Sequence, residues 1–171
     1  MPETIPQSAI LIPQLYACLY RPPGAPRPAG DGTLVSIAHE FSPRYECHGD
    51  DRVSIDISGL RRMFGDARAI GGAIRRELAA RGVRAHVAIA STRTAAMMLA
   101  LARPGLTVVA PGDEAASLAS IPVDLLEKIA DAPTAGSAIS AVKRWGIRTL
   151  GELAALPAAE LAARLGKPAR A

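Results

Sequence analysis

Apolar positions along the 171-residue chain alternate between two spacings, and each change of spacing marks the edge of an element. Leu15 to Tyr20 (LYACLY) is short, aromatic and apolar, which predicts a strand. The Pro- and Gly-rich stretch Arg21 to Gly32 is a loop, because proline withholds a backbone donor and glycine gains nothing from a regular element. Leu34, Ile37, Ala38 and Phe41 then follow the i, i+3, i+4, i+7 spacing of one helix face, which Pro43 closes. RYECH and RVSIDI flank Gly49-Asp50-Asp51 and predict a β-hairpin. Asp66 is the expected cap of a helix with Ile70, Ala73, Ile74 and Leu78 on its apolar stripe, Arg68, Arg75 and Arg76 outward, and Gly82 at its end. VRAHVAIA reads as a strand, TRTAAMMLALA as a helix and LTVVA as a further strand.

The order through Ala90 is β-α-β-β-α-β, the split or ferredoxin-like arrangement of the α+β class, and one more helix–strand pair follows. From SIPVDLL onward strand signals stop, and Pro122 marks the expected boundary. Three helices are expected beyond it, over Ala135–Trp145, Thr149–Leu156 and Ala158–Leu165. The domain reading is a loose leader (1–14), a ferredoxin-like domain (15–120) and a small all-α domain (121–171).

Composition narrows the class. With 49% hydrophobic and 21% charged residues the chain is expected to fold as a soluble globular protein. No window reaches a membrane span, and SAILIPQLYACLY, broken by Pro13, does not read as a signal peptide. Cys18 and Cys47 are too few for a disulfide framework or a Cys-rich zinc site, and they suit a reducing cytoplasm. The net charge is only +4, but ten arginines from Arg52 to Arg103 face just Asp56, Asp66 and Glu77. That run fits a nucleic-acid partner or simply the solvated faces of helices.

The tail adds a candidate site. KRWGIRTLGEL sets a glycine between two short helices and Thr149 as the cap of the second. Backbone N–H groups at a helix start, ringed by Lys143, Arg144 and Arg148, suit a phosphate oxygen. This is a helix-hairpin-helix pattern, and Lys143, Arg144, Gly146, Ile147, Arg148 and Thr149 are the predicted DNA-backbone contacts. A plain helical hairpin with a capping glycine is the alternative.

Phe41 to Ser58 resembles the metal-binding hairpin of the Y-family (translesion) DNA polymerases, which reads like Y-S-P-V-V-E-V-Y-S-I-D-E-A-F-L-D-V-T. Ser42, Pro43 and Glu46 match, Asp51 falls on the Asp of the catalytic pair, and Ile55, Asp56 and Ile57 fall on L-D-V. Arg52 stands where the family has its catalytic Glu, and a cation there repels metal. The first strand has no acid, Thr92 and Ala96 stand at the lysines of the N-K-x-L-L-A-K helix, and only the Arg21–Gly32 loop occupies the place of the fingers. VAIASTRTAAMMLALARPG, VVAPGDEAASLASIPVDLLE and the tail are similar to the ImuB-like, catalytically inactive branch, a shortened UmuC-type domain here.

The resemblance implies a palm-type domain with its fingers deleted and a thumb-like tail. It implies a non-catalytic, DNA-binding adaptor in DNA damage tolerance, in the cytoplasm at the nucleoid. Its partners would be a RecA-like accessory protein, an error-prone replicative-type polymerase and the sliding clamp. Asp51 is then a vestigial position, and no metal is expected; Asp51 and Asp56 are the only weak metal candidates. An alternative is a reduced polymerase using Mg²⁺ with Asp51, Asp56 and an acid from Glu46 or Asp50. Another is an inert folded fragment.

Other residues have simpler readings. Alternation sends Cys47 and His48 to opposite sheet faces, so they share no ion. His39 and His86 have no identifiable partner, and Cys18 has no flanking base that would activate it. Met97 and Met98 read as helix packing and Trp145 as the anchor of the tail helices, with base stacking as its alternative.

Overall fold

A computed structural model describes residues 14–26, 32–130 and 135–165. The leader expected over 1–14 therefore lies, but for Gln14, outside the described residues. Five strands form one sheet: β1 (Tyr16–Tyr20), β2 (Tyr45–His48), β3 (Arg52–Asp56), β4 (His86–Ala90) and β5 (Leu106–Val108). Their order is β2-β3-β1-β4-β5, antiparallel throughout except for β4 with β5. With α1 (Thr33–Phe41) between β1 and β2, and α3 (Ala67–Ala80) between β3 and β4, this is the expected split β-α-β sheet.

Strand alternation divides the sheet into two buried faces. Ala17, Leu19, Val53, Ile55, Val87 and Ile89 point to one side, against Leu34, Ile37 and Ala38 of α1 and Ile70, Ile74 and Leu78 of α3. Cys18, Tyr20, Ala88 and Ala90 point to the other, against Ala95, Ala96, Leu99 and Ala100 of α4 (Arg93–Ala102). Small residues meet small residues there, so helix and sheet approach closely with little room between. The helix start at Asp66 behaves as read, its carboxylate accepting from Ala69 N at 2.7 Å, and Thr92 also caps α4, accepting from Ala95 N at 3.2 Å. Gly82, at φ +66°, ends α3 in the left-handed conformation that glycine adopts without steric cost.

Three elements were not read from the sequence: α2 (Arg61–Phe64), α5 (Glu114–Leu118) and a 3₁₀ segment, Val123–Lys128. None of them has the apolar stripe of a longer helix. Helices α6 (Ala135–Arg144), α7 (Leu150–Ala154) and α8 (Ala158–Leu165) follow, and Val123, Ile139, Val142 and Ile147 form their common core. Two backbone bonds cross the boundary expected at Pro122, Leu150 N to Ile121 O and Gly151 N to Ala119 O, and Val123 N to Arg148 O lies beside them, each 2.9 Å. Gly151 lies so near Ala119 that a Cβ would stand 3.0 Å from the Ala119 carbonyl oxygen.

That contact yields a test. Gly151→Val is expected to push α7 off the turn that follows α5 at Ala119 and to destabilise the fold by about 1–3 kcal/mol, as overpacking does. Urea denaturation should show a lower midpoint with an unchanged slope.

Candidate functional site

The β2–β3 turn brings the candidate carboxylates to one end of the sheet. Gly49, at φ +69°, lets the chain reverse before Asp50 and Asp51. The turn is fastened to the chain leaving β1, where Arg21 N donates to Asp51 O at 2.8 Å and an Arg21 guanidinium nitrogen to Asp50 O at 2.7 Å. Arg52, paired with Tyr20 across β1–β3, has its side chain 17% exposed. Its Nε lies 3.2 Å from Asp51 Oδ1, and its Nη1 donates to Lys128 O at 2.6 Å. The guanidinium therefore uses the Asp51 carboxylate locally and the 3₁₀ segment at long range.

Beneath this pair Cys18 and Ser54 are fully buried. Burial pushes the Cys18 thiol up from 9.0 to about 12, with Arg52 pulling the other way and Asp51 adding to the rise. Tyr20 is raised as well, mainly by burial and then by the Asp51 charge. Cys18 is thus an inert packing thiol, as its lack of a flanking base suggested.

The remaining acids are engaged elsewhere. Asp56 ends β3 five residues beyond Asp51, about 17 Å along an extended chain. It accepts from Ser58 N at 3.0 Å and Ser58 Oγ at 2.6 Å and pairs with Arg44 at 3.2 Å. Ser58 Oγ in turn accepts from Leu15 N at 3.0 Å, so Asp56 anchors a clasp at the other end of the sheet. Glu46 pairs with Arg93, whose guanidinium also sits 5.5 Å above the Tyr16 ring. A two-ion centre needs carboxylates converging on cations about 4 Å apart. Asp51 and Asp56 cannot share an ion, and among the described residues no three His, Cys, Asp or Glu side chains form a metal-holding group. The residues present do not fit the metals of the resemblance.

Other positions are corrected or filled in. Cys47 is exposed, while His48 Nε2 meets Ser54 Oγ at 2.8 Å on the opposite face, as alternation required. The two remaining histidines do have partners: His86 Nδ1 lies 3.1 Å from Ala100 O and its ring edge-on to Tyr20, and His39 is edge-on to Tyr45. Glu114, not singled out in the sequence, accepts from Ser91 N at 3.1 Å and Gly112 N at 2.7 Å and also pairs with Ser91 Oγ. The Ser91 hydroxyl holds the Glu114 pKa below the usual carboxylate range, and the contact fixes the β4–α4 connection.

The phosphate clamp expected in the tail is occupied by the chain itself. Thr149 caps α7 as predicted, but Glu152 completes a capping box. Its carboxylate accepts from Arg148 N at 2.6 Å and Thr149 N at 3.1 Å, and those two amides lower its pKa. Leu150 N and Gly151 N bond to Ile121 and Ala119, so the amides that would face a phosphate are satisfied. Lys143 pairs with Asp124 at 2.6 Å, and the Ile147 side chain is buried in the tail core. Gly146, at φ +87°, makes the exposed turn, and Trp145 packs partly buried against the tail core. Of the predicted contacts, Arg144 and Arg148 keep exposed cationic side chains. The signal for Glu152 was present as Thr149-x-x-Glu152.

Comparison with known proteins places this geometry. Residues 29–100 match the model of the impB/mucB/samB family. The chain is 35% identical to Protein ImuB of Caulobacter vibrioides over 156 residues, 91% of this chain and 32% of that protein. It is 37% identical to DNA polymerase IV of Dehalococcoides mccartyi over 137 residues, 78% of this chain and 34% of that one. The chain thus spans about a third of the length of these curated relatives. Its fold is similar to the crystal structure of DinB from Sulfolobus solfataricus (TM-score 0.57, 18% identity, 80% of this chain and 41% of that one). A Dbh ternary complex gives a TM-score of 0.57 at 19% identity, over 80% of this chain and 40% of that one.

Two outcomes follow from the hairpin end. Arg52→Ala removes a charged donor from the Lys128 carbonyl and should cost about 1–3 kcal/mol of stability, read from urea denaturation. A thiol reagent should modify Cys47 in the native protein and Cys18 only after unfolding. Because the Cys18 proton is held to about pH 12 in the folded state and released near 9 in the unfolded one, its contribution to stability declines as pH rises from 9 toward 12.

Proposed function

Because the chain is a Y-family polymerase-like protein, we propose that it acts without catalysis, as a DNA-binding adaptor in damage tolerance and translesion synthesis. The observation that carries this reading is Arg52. A guanidinium occupies the hairpin position that the resemblance assigns to a metal-ligating Glu, and it is bound to the neighbouring Asp51 carboxylate. The burial of Cys18 and Ser54 under the sheet's second layer supports the same reading, since no acid faces Asp51 from β1.

DNA binding here rests on side-chain charge. Arg144 and Arg148 are exposed at the tail turn, and the hairpin amides are already filled. Such contacts are to phosphates and carry no base preference. The protein partners follow the resemblance: a RecA-like accessory protein, an error-prone replicative-type polymerase and the sliding clamp, met at the nucleoid in the cytoplasm. A second reading, a reduced polymerase using Mg²⁺, is favoured by one observation, the similarity to DNA polymerase IV.

Fluorescence anisotropy with labelled primer–template DNA decides between them. The adaptor reading expects binding that weakens steeply with salt and is indifferent to Mg²⁺ plus dNTP, with no primer extension under Mg²⁺ or Mn²⁺. Tightening by Mg²⁺ and dNTP, or any templated extension abolished by Asp51→Asn, would establish the polymerase instead.

A further inference from the structure

Helix α3 carries three arginines on its solvent side, Arg68, Arg75 and Arg76, at the i, i+7, i+8 spacing that aligns them along one face. Ala69 and Gly72 are the small residues on this side between Arg68 and Arg75, and the Arg76 guanidinium spans the gap over Gly72, 3.6 Å from where a Cβ would stand. At one end of the helix Arg61 and Arg68 line a cleft of about 340 Å³; at the other Arg75, Arg84 and His86 line one of about 480 Å³. The helix is 14 residues long, so the track runs about 20 Å.

The acids near this track are committed. Asp66 caps α3 through Ala69 N, and Glu77 and Glu40 both pair with Arg81. None of Arg61, Arg68, Arg75, Arg76 or Arg84 has a carboxylate within 4 Å among the described residues. The track's cations are all arginine, whose planar fork matches a phosphate in two hydrogen bonds. The outward face of α3 itself carries no large apolar side chain; the nearest exposed ones, Met63 and Phe64, belong to α2, and Phe64 lines a cleft with Arg76. Small residues between arginines instead give a backbone room to approach.

We propose that the outer face of α3 is a duplex-DNA phosphate contact. It lies on the layer that packs against Leu19, Ile55 and Ile89, so the Arg52 hairpin faces the other side of the sheet. The proposal rests on the reading that the chain binds DNA, and it assigns part of that binding to a surface separate from the tail. Binding of this kind is independent of sequence and set by counterion release.

The test is anisotropy on a labelled duplex across a salt series, with folding checked by circular dichroism. The triple variant Arg68→Ala, Arg75→Ala, Arg76→Ala is expected to reduce the slope of log K against log salt by about 2–3 and affinity roughly tenfold or more. The corresponding Lys triple should retain the slope, and Arg144→Ala with Arg148→Ala should lower binding independently. If the wild type binds and the Ala triple binds with the same slope, the α3 proposal is overturned while DNA binding stands. It is equally overturned if the Ala triple loses poly-glutamate binding and keeps DNA, since the face would then serve an acidic protein. A wild type that does not bind duplex at low salt overturns the DNA-binding reading and this proposal together.

Discussion

The guanidinium of Arg52, held between the Asp51 carboxylate and the Lys128 carbonyl, joins the end of the sheet to the segment that leads into the tail. Its position fixes two things at once. It pairs with the Asp51 carboxylate of the β2–β3 turn, and it ties that turn to the 3₁₀ segment whose Val123, Leu125 and Leu126 pack into the cores on either side. A metal ion would need that carboxylate free and at least one other beside it. The same side chain thus engages the Asp51 carboxylate and supplies a structural link across the chain.

The sheet's second layer follows from this. With no charged centre to keep open, β1 and β4 can present Cys18, Ala88 and Ala90 to the alanines of α4. Alanines on both sides bring the helix down onto the strands, and the same burial raises the Cys18 pKa. Further along, Glu114 closes the loop between β4 and α4, and the carbonyls of Ala119 and Ile121 receive α7. One contiguous set of contacts therefore runs from the turn at Gly49 to the tail core.

Much of this was legible in the sequence, and the reasons are local. Strand alternation in RVSIDI and VRAHVAIA, the stripe Ile70-Ala73-Ile74-Leu78 and the cap at Asp66 are short-range signals, and the sheet and its helices follow them. Arg52 could be identified as a misplaced cation, yet nothing local says that it reaches Lys128, 76 residues away. The short elements α2 and α5 bury no residue fully, so they leave no periodic trace. The internal partners of the tail were less legible for a different reason. Thr149 was recognised as a cap and the surrounding cations as a phosphate cradle, but Glu152 turns its carboxylate back onto the same amides. Lys143 likewise meets Asp124, which lies outside the motif that drew attention to it.

The capping box of α7 also bears on competition. A carboxylate tethered three residues from its amides samples them at an effective concentration on the order of millimolar or more. An external phosphate arriving at Arg148 and Thr149 would first have to displace a ligand that never diffuses away. The hairpin is in this sense pre-occupied, an intramolecular mimic of the anion its sequence appeared to await. Acidification should loosen that internal occupant, because the Glu152 pKa is lowered in the folded chain and protonation removes the charge the amides hold.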